Sequence, residues 1–385
     1  MYLDFNATSP LSQSVQNWLK SGEFHFANPS SQHSAGKASR KTINEGREKI
    51  FRTFGKSEKD TRLFFHSGAT EGISTIARSF AEEARLKGKD LLICYSKIDH
   101  PAVSSLAENY LGPQVKFLEL KRGSDLFYDQ NENYRVLLDK KENNPDLIIL
   151  VHHLWVHNET GHVSPLEELA QLKSIPDLFV HVDAVQAPGK IAKWNELHHA
   201  DAWTFSGHKF GSLKGIGFTL SHKEMPFHAL ITGGGQQGSL RSGTENTQGV
   251  HSVALALADL EKTQVGKLIE LRQKLVRHFE QELAGIGEVI SAPAEKMNAN
   301  TIYFYLNKLS SDVALALFDL HGLMISAGSA CQSGAAKNSE VLLHLHKGNS
   351  AKNGLRLSFG FDFSEEDLNR VIKDLTPVFN KLRSH

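Results

Sequence analysis

A lysine near the middle of the chain lies where a protein amine could bind an aldehyde. Lys209 closes the turn Ser206-Gly207-His208-Lys209, which follows an apolar run from Ala202 to Phe205. Upstream, Asp183 ends a second apolar run, Leu178 to Val182. Pyridoxal phosphate (PLP) chemistry needs an amine for the aldehyde and a carboxylate that faces the pyridine nitrogen. The two segments together therefore indicate a PLP site.

A group of small residues lies between another apolar run and a helical pattern. Ser67-Gly68-Ala69-Thr70 follows the run from Leu63 to Phe65, and apolar residues then recur at three- and four-residue spacing from Thr70 to Leu86. Backbone amides and the Thr70 hydroxyl at the start of such a helix would bind a phosphate. Alternatively, Thr70 only caps a helix that follows a plain turn.

Two further polar side chains follow apolar runs. His100 comes after Leu91 to Tyr95, where its ring could stack on a cofactor and exchange protons, or could be a helix N-terminal residue without a catalytic role. Asn158 follows Leu147 to Val156 and could bond a cofactor oxygen, or could simply form a turn. Asp183, ending an apolar strand, needs a buried partner such as a protonated pyridine nitrogen.

Apolar runs alternate with helical patterns up to about residue 247. They predict seven strands, at 62–66, 91–95, 115–120, 147–151, 178–182, 202–205 and 215–220. Helical spacing occurs at 70–86, 100–111 and 165–175. The alternation predicts an α/β fold with a mainly parallel sheet between helices and with ligands at the carboxyl ends of the strands.

The rest of the chain has a different pattern. It predicts a long helix over 248–283, helices over 311–320 and 365–382, and apolar segments at 301–306, 323–326 and 355–358. We therefore expect a large domain of residues 13–250 and a smaller α+β domain of residues 1–12 and 251–385.

Composition narrows the functional classes. The chain has 385 residues, of which 40% are apolar and 22% charged, as in a globular enzyme. Its formal net charge is zero, so no overall field favours nucleic acid or an anionic membrane. Neither a signal peptide nor a long apolar segment is found, which predicts a cytoplasmic protein. Two cysteines argue against a disulfide framework.

Nine segments occur in the order expected for one family. They resemble the cysteine desulfurases of the NifS/IscS type, within the class V aminotransferases of the fold type I PLP enzymes. The similarity spans nearly the whole chain. The segments are Tyr2 to Thr8, Asn28 to Ser31, Ser67 to Glu71, Asn158-Glu159, Val182 to Gln186, Ser206 to Lys209, Arg241 to Thr244, Ser329 to Cys331 and Leu355 to Ser358.

This resemblance implies a role for each matching residue. Lys209 would bind PLP covalently, Asp183 would pair with the pyridine nitrogen, and His100 would stack on the ring. Arg356 would bind the substrate carboxylate through two hydrogen bonds, with Asn158 beside it. The remaining cofactor contacts would come from Ala69, Thr70, Asn158, Gln186, Ser206, His208 and, from the second subunit of a homodimer, Thr244.

The resemblance also implies the reaction. L-Cysteine would give L-alanine, and its sulfur would pass to Cys331 as a persulfide for iron-sulfur cluster, thio-cofactor or tRNA thiolation pathways. Cys331 lies in a run of small residues that suits a nucleophile which must move, and an acceptor protein of unknown identity would take the sulfur. Alternatives are a class V aminotransferase or selenocysteine lyase without persulfide transfer, and an inactive sulfur-transfer scaffold.

Two other sequence patterns, one for a dinucleotide and one for a metal, give weaker evidence of function. Residues 233–238 match the glycine spacing of a dinucleotide site, but the polar residues that follow do not predict the required helix. Twenty histidines form no recognised metal-ligand pattern, so no metal is expected. The chain departs from the family pattern at Trp155, at His157 and at Gln237-Gly238-Ser239.

Overall fold

A computed structural model describes residues 1–109, 111–328 and 338–383. The strands are β1 Thr61–His66, β2 Leu91–Tyr95, β3 Val115–Glu119, β4 Ile148–Leu154, β5 Leu178–Asp183, β6 Ala202–Ser206, β7 Gly217–His222, β8 Gly287–Ile290, β9 Thr301–Leu306, β10 Ser326–Ala327 and β11 Gly354–Ser358. The α-helices are α1 Gln13–Ser21, α2 Ser34–Thr53, α3 Ala69–Lys87, α4 Pro101–Ser104, α5 Gln130–Asn143, α6 Thr247–Leu260, α7 Val265–Leu283, α8 Ser311–Leu320, α9 Glu340–His344 and α10 Glu365–Arg383.

The larger sheet has seven strands in the order β1-β7-β6-β5-β4-β2-β3. Strands β6, β5, β4, β2 and β3 run parallel, whereas β7 is antiparallel to both of its neighbours. Helices cover both faces, and every residue of β4 is buried, as expected for a parallel strand inside an α/β sheet. The predicted α/β fold with a mainly parallel seven-stranded sheet is confirmed.

A chain of hydrogen bonds crosses this sheet under α3. His152 Nδ1 lies 2.9 Å from His181 Nδ1, and His181 Nε2 lies 2.8 Å from Thr204 Oγ1. Thr204 Oγ1 is 2.9 Å from Thr219 Oγ1, which is 3.0 Å from His66 Nε2. These five side chains, on strands β4, β5, β6, β7 and β1, are all buried, and we name them the polar belt.

Helix α3 approaches the polar belt closely at Gly72. A Cβ atom at this position would lie 2.5 Å from His66 Nε2, 2.8 Å from Thr219 Oγ1 and 2.9 Å from Thr204 Cγ2. Such distances are well inside van der Waals contact, so only glycine allows the helix to pack here.

The smaller sheet is antiparallel, with the strand order β10-β11-β9-β8. Its core with α7, α8 and α10 includes Ile302, Phe304, Leu357 and Phe379, each fully buried. Leu3 joins this core, whereas α6 packs into the core of the larger sheet. The division of the chain into two domains stays a prediction, which these separate cores support.

Three predicted helices differ in the structure. The helix expected over 248–283 is interrupted between Leu260 and Val265, where α6 ends and α7 begins. Among residues 100–109 and 111, the structure has α4 and a 3-10 turn but no longer helix, and 165–175 contains two 3-10 turns. Leu166, Leu169 and Ile175 still face the core, because short 3-10 turns can bury residues at similar spacing. In residues 165–175 the apolar residues are therefore buried as their spacing predicts, whereas the predicted regular helix is wrong.

Candidate active site

A cavity of about 530 Å³ opens at the carboxyl ends of the parallel strands. This volume suits a cofactor together with a small substrate. Strand order explains its position, since β4, β5 and β6 end side by side at this edge of the sheet. The lining residues are Asn6, Ala7, Thr8, Ser67, Gly68, Ala69, Thr70, Ile73, His100, Ala102, Leu154, Asn158, Asp183, Val185, Gln186, Ser206, His208, Lys209, Lys214, Gly215 and Arg356.

Lys209 lies on the short turn that follows β6. Its Nζ donates hydrogen bonds to the carbonyl oxygens of Asn6 and Ala7, both at 2.9 Å. The adjacent His208 Nδ1 is 3.1 Å from Thr8 Oγ1, and His208 O accepts a hydrogen bond from the Ser9 N–H at 2.8 Å. The N-terminal segment therefore holds the turn that carries the lysine.

Asp183 forms the floor of the cavity at the end of β5. Its Oδ1 accepts a hydrogen bond from the Val185 N–H at 3.0 Å, and only 4% of the residue is exposed. Burial raises the pKa of Asp183 to about 6, because a carboxylate loses its hydration there. A cationic ring nitrogen would restore the stability of the charged form.

Gln186 is held by a buried lysine that sequence reasoning missed. Lys190 Nζ donates to Gln186 Oε1 and, at 3.1 Å, to Asn6 Oδ1, while Gln186 Nε2 donates to Asn6 O at 2.9 Å. Burial lowers the pKa of Lys190 well below its usual value. These bonds fix which end of the Gln186 amide is the donor.

The turn at 67–70 leads directly into α3, as predicted. Within the first turn of a helix the N–H groups have no intrahelical acceptor, so a phosphate can accept from them. Ser206, His208 and Lys214 line the same cavity and add polar or cationic groups. Lys214 was missed because it belongs to none of the segments singled out in the sequence.

His100 is the residue before the short helix α4. Its Nδ1 accepts a hydrogen bond from the Ala102 N–H at 3.1 Å, so the proton of the neutral ring is on Nε2. Burial and the charge of Lys209 lower the pKa of His100 to about 4. The ring is therefore neutral near pH 7, with an Nε2–H that can donate.

The turn that carries His100 is held by a buried ion pair. Arg122 Nη2 donates to Asp99 Oδ1 at 2.8 Å, and its guanidinium lies 3.6 Å from the ring centroid of Tyr128. Asp99 Oδ2 accepts from the Ser96 N–H at 2.9 Å. Removing one member would leave the other charge buried and unpaired.

His157, a departure from the family pattern, connects two turns of the site. Its Nδ1 accepts from the N–H groups of Glu159 and Thr160, at 3.2 and 3.3 Å. Its Nε2 therefore carries the proton and donates to Ile98 O at 2.8 Å. The histidine joins the turn that carries Asn158 to the turn that carries His100.

The other departures also have structural explanations. Trp155 is 5% exposed and packs in the core of the large sheet. Gln237 Oε1 accepts from the Phe65 N–H at 2.6 Å, and its Nε2 donates to Phe65 O at 3.0 Å. Both bonds need an amide, which a glutamate could not replace. The 3-10 turn Gln236–Ser239 overlaps the glycine-rich segment 233–238, and the next α-helix begins only at Thr247. No helix therefore opens at this segment, which contradicts a dinucleotide site.

Arg356 reaches the cavity from β11 of the smaller sheet. The residue is only 1% exposed. Its Nη1 donates to Asn158 O at 3.0 Å, and its Nη2 donates to Asp4 Oδ1 at 2.8 Å and to Ser326 Oγ at 2.9 Å. Residues from both ends of the chain thus meet at one guanidinium.

Most of the predicted site residues share the cavity. Thr244 is exposed and is not among the described lining residues. Cys331 lies outside the described residues. Those that line the cavity are Ala69, Thr70, His100, Asn158, Asp183, Gln186, Ser206, His208, Lys209 and Arg356.

Comparison with known proteins identifies the family. The model of the class V aminotransferases matches residues 1–371. The chain belongs to the class V aminotransferase family. A cysteine desulfurase IscS of Dictyoglomus turgidum is 31% identical over 392 residues, covering 100% of this chain and 95% of the relative. The cysteine desulfurase NifS of Azotobacter vinelandii is also 31% identical, over 100% and 94% of the two chains.

A solved structure agrees with this assignment. A NifS-like protein aligns over 100% of both chains, with a TM-score of 0.84 and 27% identity. The predicted resemblance to the cysteine desulfurases is therefore confirmed, as is the fold type. Across residues 1–109, 111–328 and 338–383, no helix has the length and apolar character needed to cross a membrane.

Proposed function

We propose that this class V enzyme is a PLP-dependent cysteine desulfurase that converts L-cysteine to L-alanine and passes the sulfur to Cys331. The observation that carries the proposal is the meeting of Lys209, Asp183 and Arg356 at one cavity. The names of the relatives with 31% identity support the same activity. A cytoplasmic location belongs to the proposal as well.

The residues of the cavity fit PLP. Asp183 is a buried acid whose pKa, raised by burial, leaves its charged form in need of a cation. The start of α3, with Ser206 and His208, suits the phosphate, and Gln186 with Asn158 suits the phenolic oxygen. When bound, PLP supplies an electron sink for the bonds at the substrate α-carbon.

The protein's own groups bind the substrate and move its protons. Arg356 would bind the carboxylate, and Lys209 Nζ would carry the proton of the α-carbon. His100 would donate a hydrogen bond from its Nε2–H to the substrate sulfur. Asp183, which is buried, would keep a negative charge at the cavity floor.

The sulfur step uses Cys331. Its thiolate would form a bond to the substrate sulfur while the carbon-sulfur bond breaks and the carbon keeps the bonding pair. A proton then completes L-alanine. Cys331 is five residues beyond Ser326 in the sequence, and Ser326 accepts a hydrogen bond from Arg356.

The experiment compares the two cysteines. Cys331→Ser should lower the rate of alanine formation from L-cysteine under reducing conditions by at least about 100-fold and should abolish protein persulfide. Cys94→Ala is the matched control, because Cys94 is fully buried in β2 and burial raises its pKa. A PLP-loaded Cys331→Ser enzyme with normal turnover would contradict the persulfide step.

The spectrum tests the cofactor separately. The purified protein should be yellow, and L-cysteine should change its absorption. A protein that stays colourless after PLP is added would contradict the PLP assignment. Thr244, exposed on a loop, fits a contact to the second subunit of a homodimer, which light scattering would test.

A further inference from the structure

Arg356 already contacts a carboxylate of its own chain. Asp4 Oδ1 lies 2.8 Å from Arg356 Nη2 and also accepts from Ser326 Oγ at 2.8 Å. The Arg356 side chain is 1% exposed and that of Asp4 is 19% exposed. The pair is therefore largely shielded from water, where an ion pair is stronger than at the surface.

Asp4 is held in this position by the smaller sheet. The N-terminal segment pairs with the end of β11, since Phe5 N–H donates to Ser358 O at 3.2 Å and Ser358 N–H donates to Leu3 O at 2.7 Å. Asp4 and Ser358 form an isolated parallel bridge. The carboxylate is thus built into the fold beside the guanidinium.

The guanidinium retains binding capacity. An arginine side chain has five N–H donors, and three hydrogen bonds from Arg356 are found, to Asp4, Ser326 and Asn158. Its Nε is buried and has no partner within the described part of the chain. A ligand carboxylate that uses Nε and Nη2 would meet Asp4 at Nη2.

We propose that Asp4 sets the affinity of the enzyme for carboxylate substrates by holding Arg356 and competing with the substrate for Nη2. This inference rests on the proposed function, in which Arg356 binds the substrate carboxylate. Two carboxylates at one guanidinium repel each other, so Asp4 weakens substrate binding while it stabilises the buried arginine in the free enzyme. Asp4 is a specificity-determining residue and not a catalytic one.

The test measures binding of propionate, a carboxylate without an amine or a thiol, to the PLP-loaded enzyme by calorimetry at fixed ionic strength. Asp4→Asn keeps an acceptor oxygen of the same size and removes the charge. We expect it to lower the Kd of propionate about fivefold to tenfold, since the repulsion between like charges is lost. Asp4→Glu, which keeps the charge, should stay within twofold of the wild type.

Asp146→Asn is the matched control, because this exposed acid precedes β4, at the opposite end of the strand from the cavity. Its propionate affinity should not change. Melting temperatures of all variants establish that each is folded. If Asp4→Asn is unfolded, Asp4→Ser provides a second test, since it also removes the charge at this position and should lower the Kd of propionate by a similar factor.

The propionate affinity of Arg356→Lys distinguishes a wrong role for Asp4 from a wrong role for Arg356. Arg356→Lys should raise the Kd of propionate at least about tenfold, because the bidentate contact is lost. Unchanged affinity in Arg356→Lys would overturn the role of Arg356 itself. If Arg356→Lys binds weakly while folded Asp4→Asn binds as the wild type does, only the inference is overturned. Absence of binding in both the wild type and Asp4→Asn would overturn it as well.

Discussion

The two sheets bury different kinds of side chain. Under the cavity, the large sheet contains the polar belt of three histidines and two threonines. The small sheet buries apolar side chains such as Ile302 and Phe304 against its helices, and its buried arginine, Arg356, lies at the cavity. The large sheet thus buries a connected row of polar side chains, and burial of a polar group has a cost unless the group is hydrogen-bonded.

The free-energy cost of burial is reflected in the pKa values of the buried histidine rings. Burial lowers the pKa of His66 to about 4 and the pKa values of His152, His153 and His157 to about 3. In the unfolded chain a histidine has a pKa of about 6.5. Below that pH the unfolded state binds more protons than the folded state, so stability must fall as the pH falls from about 6.5 towards 4.

The largest expected effect is acid unfolding. At pH 5.5 each of these four rings should cost about 1.2 kcal/mol relative to pH 7, or roughly 5 kcal/mol together, which is comparable to the stability of many proteins. The free energy of unfolding, measured with a denaturant at several pH values between 7.5 and 5.5, tests this prediction. A stability that does not vary with pH over this range would contradict the comparison.

A smaller effect is expected at Asp183. Asp183→Asn keeps the size of the side chain and removes the charge, so turnover should fall about 1000-fold, or about 4 kcal/mol of activation free energy. Because burial raises the pKa of this acid, the charged form is destabilised, and the variant should melt no lower than the wild type. Turnover measurements and thermal melts separate a catalytic role of Asp183 from a structural one. Lost stability with normal turnover would show that Asp183 is structural.

The smallest effect is expected from breaking the polar belt. Thr204→Val conserves shape but leaves His181 Nε2 without a partner and leaves Thr219 Oγ1 only its contact with His66 Nε2. This should cost about 2 kcal/mol of unfolding free energy. Thr376→Val is the control on the exposed surface of α10 and should change stability by less than about 0.5 kcal/mol. Equal effects of the two substitutions would mean that the belt contributes nothing to stability.

The position of a residue in the large sheet was predictable where it follows from the local sequence pattern. The strand ends at Asp183 and Lys209 were predictable, because an apolar run followed by small polar residues places side chains at the edge of a parallel sheet. The break between α6 and α7 was missed, since neither glycine nor proline marks residues 261–264. Apolar spacing alone continues through such a turn.

Polar contacts between residues far apart in the sequence could not be predicted either. Asp4 and Arg356 are separated by 352 positions, and nothing in their local patterns shows that they pair. The polar belt joins side chains of five strands, and each of its members looks locally like an isolated polar residue in an apolar run. Such contacts depend on strand order, which a single sequence specifies only through the finished packing.

Gly72 links helix α3 to the polar belt in a way that constrains how this protein can evolve. Any larger residue at position 72 would collide with His66 and Thr219 while those side chains remain. A path to alanine at this position therefore has to begin with a smaller residue in the belt, and that first step leaves hydrogen-bonding groups of the belt without partners. A single substitution at Gly72 or in the polar belt is therefore expected to lower stability, so a change at one position requires a change at the other.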